Sequence, residues 1–290
     1  MTEQGRGLIA INLAVLLFGT AGLFGKLLTF SPVLIVSGRV AFASLALLIF
    51  LLLRKEDLKL SKNISHNILM IILGIILAVH WLTFFQAIQI STVAIGLLSF
   101  STFPIFVALL EPLLFKEKLS VRYIFLALIT FGGIRLFIPS LTITDNVVQG
   151  VLWGTLSGLL FAFLTIINRK MVNHYRAVRV AFYQNFIAFL CLLPFVSRYI
   201  TQVRIFYHVI MLIILGVIFT ALSHTLFIYG LKSIKARTAS IIACLEPVYG
   251  IILALVILNE IPDKRTLAGG LIIIGAVFYT TVYTKHKEKK

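Results

Sequence analysis

The stretch ACLEPVYGIILALVILNE, residues 243–260, is almost wholly apolar, yet Glu246 and Pro247 interrupt its first third. FSTFPIFVALLEPLLFKE, residues 100–117, is built alike, with Pro104 inside the run and Glu117 at its end. A carboxylate and a helix breaker in a segment otherwise suited to hydrocarbon call for an explanation. Pro247 has no N–H and clashes with the carbonyl of Ala243, as Pro104 does with that of Phe100. Away from water such a carbonyl is costly, so broken helices are tolerated where neighbours seal them or a wet cavity reaches them.

The remainder of the chain supplies the context. Of 290 residues, 60% are hydrophobic and only 12% charged, with a mean hydropathy of +1.06. Soluble domains carry about 25% charged residues. The apolar residues fall into ten blocks between residues 8 and 284, and most approach the ~20 residues that cross a bilayer. An all-α polytopic membrane protein with ten transmembrane helices is predicted. The net charge of +16 does not point to nucleic acid, because of where the charges lie. With a cytoplasmic N-terminus, most of the 26 Lys and Arg fall in cytoplasmic segments: Arg54 to Lys62, Lys116 to Arg122, Arg169 to Arg179, Lys232 to Arg237 and Lys285 to Lys290. That is the positive-inside pattern, and it puts both termini in the cytoplasm. The first block has one Arg before it and no A-x-A site after it, unlike a cleaved signal peptide. Cys191 and Cys244 lie within apolar blocks and read as small hydrophobes.

A shift of 143 residues lays one half of the chain on the other. Gly7 meets Gly150, LLF at 16–18 meets LLF at 159–161, Pro104 meets Pro247, and Glu117 meets Glu260. Around the third block the register slips by one, IILG at 71–74 matching IILG at 213–216. The halves read as duplicates, 7–138 and 150–284, followed by a basic cytoplasmic tail at 285–290. Five crossings per half is odd, so the second copy enters from the opposite face. Two inverted five-helix repeats around a central cavity are the architecture of secondary transporters, with substrate near the midplane. By this symmetry Glu117 and Glu260 sit at opposite ends and read as cap or loop features.

With FPIFVALLEPLLFKEKLS in one half and LEPVYGIILALVILNEIPDKRTLAGGLIIIGAVF in the other, the chain resembles an EamA-type member of the drug/metabolite transporter superfamily. FGTAGLFGK at the end of the first block and Arg39 early in the second are also family-like. The resemblance covers essentially the whole chain. It implies ten helices around a central cavity and movement of small organic metabolites, often as export; it leaves the substrate open, because the motif marks scaffold more than ligand.

The candidate site is drawn from polar and aromatic residues inside the blocks. AVHWLTFFQAI (78–88) places His80 above Phe84 and Trp81 above Phe85, and in FTALSHTLFIYG (219–230) Thr220, Ser223, His224 and Phe227 share a stripe. Phe161, the counterpart of Phe18, adds a wall, and the backbone ahead of Pro104 and Pro247 brings Phe100, Ser101 and Ala243. Substrate contacts are therefore expected at His80, Trp81, Phe84, Phe100, Ser101, Phe161, Ser223, His224, Phe227 and Ala243. Aromatics beside polar groups suit an amine or an amino acid with an apolar side chain. Glu246, His80 and His224 are proton-coupling candidates, against the plainer reading of hydrogen-bonded structural groups. Glu111, nearer a membrane surface, is expected to snorkel or pack. For Arg39, anchoring or pairing is expected rather than anion binding.

Neither H-E-x-x-H nor G-x-S-x-G is present, and Asp57, Asp145 and Asp263 lie between blocks, so an intramembrane enzyme is disfavoured. No cofactor, metal or nucleic-acid partner is expected. The expected partners are a small-molecule substrate, the lipid bilayer, and protons or a counter-substrate; a homodimer is compatible. The sequence reads as a secondary transporter exporting amino acids, amines or related compounds from the plasma (inner) membrane of a bacterium. An uptake carrier or exchanger of the same fold is the alternative.

Overall fold

A computed structural model describes all residues except 1, 57, 60–61, 116–120, 138–141, 143–144, 200–205 and 288–290. Glu117 lies outside the described residues, as does the end of the 285–290 tail, whose first residues continue the last helix. The described residues are helical, with no strand among them. In order they form α1 (Glu3–Leu27), α2 (Pro32–Leu53), α3 (Ile64–Ile90), α4 (Val93–Phe100), α5 (Phe103–Phe115), α6 (Val121–Phe137) and α7 (Asn146–Met171). There follow α8 (Ala177–Val196), α9 (Phe206–Gly216), a π-helical turn (Val217–Leu222), α10 (Ser223–Gly230), α11 (Ala236–Ala243), α12 (Glu246–Leu258) and α13 (Lys264–Lys287). Among the described residues eight helical stretches are long and apolar enough to span a membrane, counting α4–α5, α9–α10 and α11–α12 as one each. The protein is a multi-pass membrane protein. The remaining helices, α6 of 17 residues and α13 of 24, pack on one another.

Local chemistry starts several of these helices. Ser31 accepts from the Leu34 N–H ahead of Pro32, Thr92 from Ile95 N–H at 3.1 Å, and Asp145 from Val147 N–H at 2.7 Å. The ends of α4 and α11 are set differently. Both helices stop at a turn, 101–102 and 244–245, and restart with Pro104 and Pro247 as second residues of α5 and α12. At that position a missing N–H leaves no intrahelical bond unmade. The prolines therefore begin new helices instead of kinking old ones.

The π-helical turn has a related cause. IILG aligns at an offset of 142 residues, whereas an offset of 143 holds farther along, so the second stretch carries one extra residue. A π turn absorbs a single insertion without breaking the helix. It occurs directly after that motif, at Val217–Leu222.

Apolarity does not tell these helices which way to face. On α3, Ile68, Ile71, Ile72, Ile75 and Val79 are exposed, while Leu73, Gly74, Leu77, Trp81 and Phe84 are buried. Both stripes are hydrophobic; small and polar residues mark the inner one. Helices before residue 138 pack largely on helices after 145: α1 on α10 and α12, α2 on α8 and α9, α3 on α7 and α8, α5 on α7 and α11. Matching contacts recur 143 residues apart. A Cβ on Gly7 would come within 3.3 Å of the Gly230 carbonyl, and one on Gly150 within 3.3 Å of the Ala87 carbonyl.

The small-residue face of α11 and α12, Ala236, Ser240, Ala243, Pro247, Gly250 and Ala254, is buried throughout. At its centre α1 crosses so closely that a Cβ on Gly19 would lie 2.8 Å from the Glu246 carbonyl. Gly19→Ala should thus cost about 1–3 kcal/mol of overpacking, read as a lowered thermal midpoint in detergent. Gly132, with nothing within 4 Å of its Cβ direction, should accept alanine without loss. Equal midpoints for the two variants would contradict this packing.

Candidate functional site

The buried centre is a cluster of aromatic rings joined from both halves. Phe161 of α7 is its hub, with ring centroids 5.3 Å from Phe100, 5.1 Å from Phe103, 5.4 Å from Phe227 and 5.2 Å from His80. Phe18 touches Phe161 at 6.2 Å and Phe227 at 5.7 Å, and Phe84 meets Phe100 at 5.5 Å. Six of the expected residues, His80, Trp81, Phe84, Phe100, Phe161 and Phe227, therefore form one connected ring system. Phe103, which the sequence reading did not single out, closes it.

The polar members behave variously. His80 is held at Nδ1 by Ser157, 2.9 Å from its hydroxyl and 3.1 Å from its carbonyl oxygen. This ties α3 to α7. Ser101 donates to the Leu97 carbonyl at 2.8 Å and Ser223 to the Thr220 carbonyl at 3.4 Å, so both hydroxyl protons go to backbone three or four residues earlier. His224 is buried with Nδ1 3.5 Å from Asn185 Nδ2. Ala243 is fully buried as the last residue of α11. Glu246, first residue of α12, is 2% exposed and its Oε2 has no hydrogen-bond partner. A carboxylate there is favoured by the N-terminal end of the helix dipole.

Arg39 is the residue whose importance sequence reasoning understated. It is completely buried. Its Nε donates to Thr220 Oγ1 at 2.9 Å and its Nη2 to the Phe219 carbonyl at 3.2 Å, both acceptors lying in the π turn. The guanidinium carbon sits 3.4 Å from the Trp81 ring centroid and 5.3 Å from that of Phe85. Anchoring and pairing are thus present, but Nη1 has no partner. The sequence signal was a charge two turns into an apolar helix, together with the one-residue slip that marks the π turn.

Charged side chains make interhelix contacts toward both ends of the bundle. Glu111 accepts a hydrogen bond from Arg169 Nη1 at 2.6 Å and forms an ion pair with Arg237, whose Nε lies 3.3 Å from Oε2, joining α5, α7 and α11. Of the two roles expected for it, packing is the one seen: with both partners on neighbouring helices, the carboxylate is neutralised in place and does not reach for headgroups. At the opposite end of α1, Lys26 Nζ donates to the Ser91 carbonyl at 2.7 Å and to Gln89 at 3.3 Å. There Glu260 Oε1 accepts from the Ala94 N–H at 3.2 Å, capping α4 from a distant part of the chain.

The pattern of the EamA-like transporter family matches the chain twice, over residues 5–138 and 148–282. An uncharacterized transporter of Bacillus subtilis (strain 168) is 25% identical over 289 residues, covering 98% of this chain and 92% of the relative. An S-adenosylmethionine uptake transporter of Rickettsia conorii is 27% identical over 257 residues, covering 87% and 82%. A solved structure titled "Crystal structure of protein" superposes with a TM-score of 0.72 at 17% identity, over 99% of this chain and 100% of that one; it speaks to the fold alone. With its two matches spanning nearly the whole polypeptide, this chain belongs to the EamA-like transporter family.

Proposed function

We propose that the protein is a secondary transporter of small organic metabolites that works by alternating access, most readily an exporter of amino acids, amines or related compounds. In this reading ten crossings form two inverted five-helix repeats, 7–138 and 150–284, with both termini and the 285–290 tail in the cytoplasm of a bacterial plasma membrane. The observation that carries the reading is the aromatic–polar cluster at the middle of the bundle, to which helices of both halves contribute. Supporting it are the helix interruptions at 101–102 and 244–245 and the paired glycine contacts, all 143 residues apart. Rocking one half against the other parts such a cluster from alternate sides. The charged contacts of Glu111 and of Lys26 then act as the seals at the two ends.

Substrate meets His80, Trp81, Phe84, Phe100, Ser101, Phe161, Ser223, His224, Phe227 and Ala243 on this reading, and Pro104 and Pro247 mark the helix breaks. Glu246, His80 and His224 remain the proton-coupling candidates; the engagement of His80 with Ser157 favours Glu246 among them. The name of the Rickettsia relatives supports uptake or exchange as the second reading. S-adenosylmethionine itself bears an α-amino acid group, within the class proposed.

Counterflow in liposomes tests the carrier. A panel of radiolabelled amino acids, amines and S-adenosylmethionine should include a compound whose entry is accelerated by internal unlabelled compound, without chemical change. Product formation, or no counterflow across the panel, would contradict it. A pH gradient should accelerate that flux in the native protein and not in Glu246→Gln; acceleration retained in the variant would remove Glu246 from the proton role.

A further inference from the structure

Two groups near the ring cluster are built to hold something they do not hold within the chain. Arg39 Nη1 and Glu246 Oε2 are both buried and lack any hydrogen-bond partner. The guanidinium cannot turn aside to find one, because Trp81, Thr220 and Phe219 fix its plane. The α1–α12 crossing at Gly19 fixes the backbone from which the Glu246 side chain extends. Arg39 packs on Trp81 of the ring cluster, and the Glu246 backbone crosses α1 at Gly19, next to Phe18 of the same cluster; the orphaned nitrogen and oxygen are not bonded together. A buried charge left without a partner is expensive.

Resting on the carrier reading above, we infer that Arg39 and Glu246 form a headgroup clamp for a net-neutral α-amino acid, the carboxylate on Arg39 Nη1 and the ammonium on Glu246 Oε2. The chemistry of selection follows from charge balance. Arg39 and Glu246 sum to zero, and a zwitterion entering between them keeps the sum at zero while satisfying both ends. A simple amine neutralises Glu246 and leaves Arg39 uncompensated. A simple acid does the reverse. The apolar tail lies against Phe18, Phe100, Phe161 and Phe227, which touch one another in this closed arrangement. The clamp also couples the substrate to protons: one Glu246 carboxylate serves either an ammonium or a proton, so the two compete for it.

Leucine, 3-methylbutylamine and 4-methylpentanoate share one tail and differ only in charged groups, so they separate these cases. Their binding is measured by calorimetry on the purified full chain, alongside the counterflow panel. Leucine should bind about 30-fold or more tightly than either analogue, the usual effect of leaving one partner of a buried charge pair alone. The variants should invert the preference. Arg39→Gln should gain affinity for the amine, and Glu246→Gln for the acid, while both lose leucine. Arg39→Lys keeps the charge, loses the guanidinium fork and should retain part of the leucine affinity. A merely structural role for either residue weakens all three probes together. Equal binding of leucine and the amine by the native protein overturns the clamp, as does no saturation by leucine or no inversion in folded variants. Counterflow of other panel compounds in those cases leaves the carrier reading standing. Loss of counterflow for every compound removes the carrier as well.

Discussion

A guanidinium with no access to water depends on partners inside the protein, and Arg39 finds three of them while its Nη1 is left without one. The face of Trp81 covers its plane, the Thr220 hydroxyl takes its Nε, and the Phe219 carbonyl takes one terminal nitrogen. The last two lie where the backbone departs from α-helical winding, at Val217–Leu222. The extra residue in this stretch is thus absorbed where a buried cation finds two of its acceptors. The Thr220 hydroxyl also donates back to Leu215 at 2.7 Å, which orients its oxygen toward Arg39.

The same principle governs the other departures from regular structure. α4 ends at Phe100 and α11 at Ala243, and in each case a proline resumes the helix two places into the next segment. These breaks place Glu246 at the start of a helix, where its charge is favoured, and bring Phe100 and Phe103 to the ring cluster from either side of a turn. Close crossings at glycine supply the rest. Gly19 admits the Glu246 carbonyl, and Gly158 admits that of Phe100, each at 2.8 Å from where a Cβ would stand. Backbone irregularity, small residues and buried charge are therefore three aspects of one arrangement at the centre of the bundle.

Much of this was legible before any coordinates. Apolar blocks of membrane-spanning length follow from the cost of unpaired backbone in lipid, and the 143-residue offset anticipated that both helix breaks fall at equivalent positions. The ring residues were legible as aromatics flanking a histidine. What escaped the sequence was pairing. Glu111 looked like a residue near a surface, yet Arg169 and Arg237 meet it from helices 58 and 126 positions away. Arg39 looked like an anchor, because neither Trp81 nor Thr220 is near it in the chain. Membrane helices are apolar on lipid and core faces alike, so periodicity cannot orient them. Without orientation, long-range partners cannot be matched.

The account stands on the opposed orientation of the two halves, since only then do equivalent breaks converge on one central cluster while their charged contacts fall at opposite ends. Impermeant thiol labelling tests that orientation directly. With Cys191 and Cys244 replaced, single cysteines at Thr2 and Thr142 lie before the first half and between the halves, both at exposed positions. The account predicts that the reagent reaches these two sites from opposite faces of the membrane. Labelling of both from one face would contradict it.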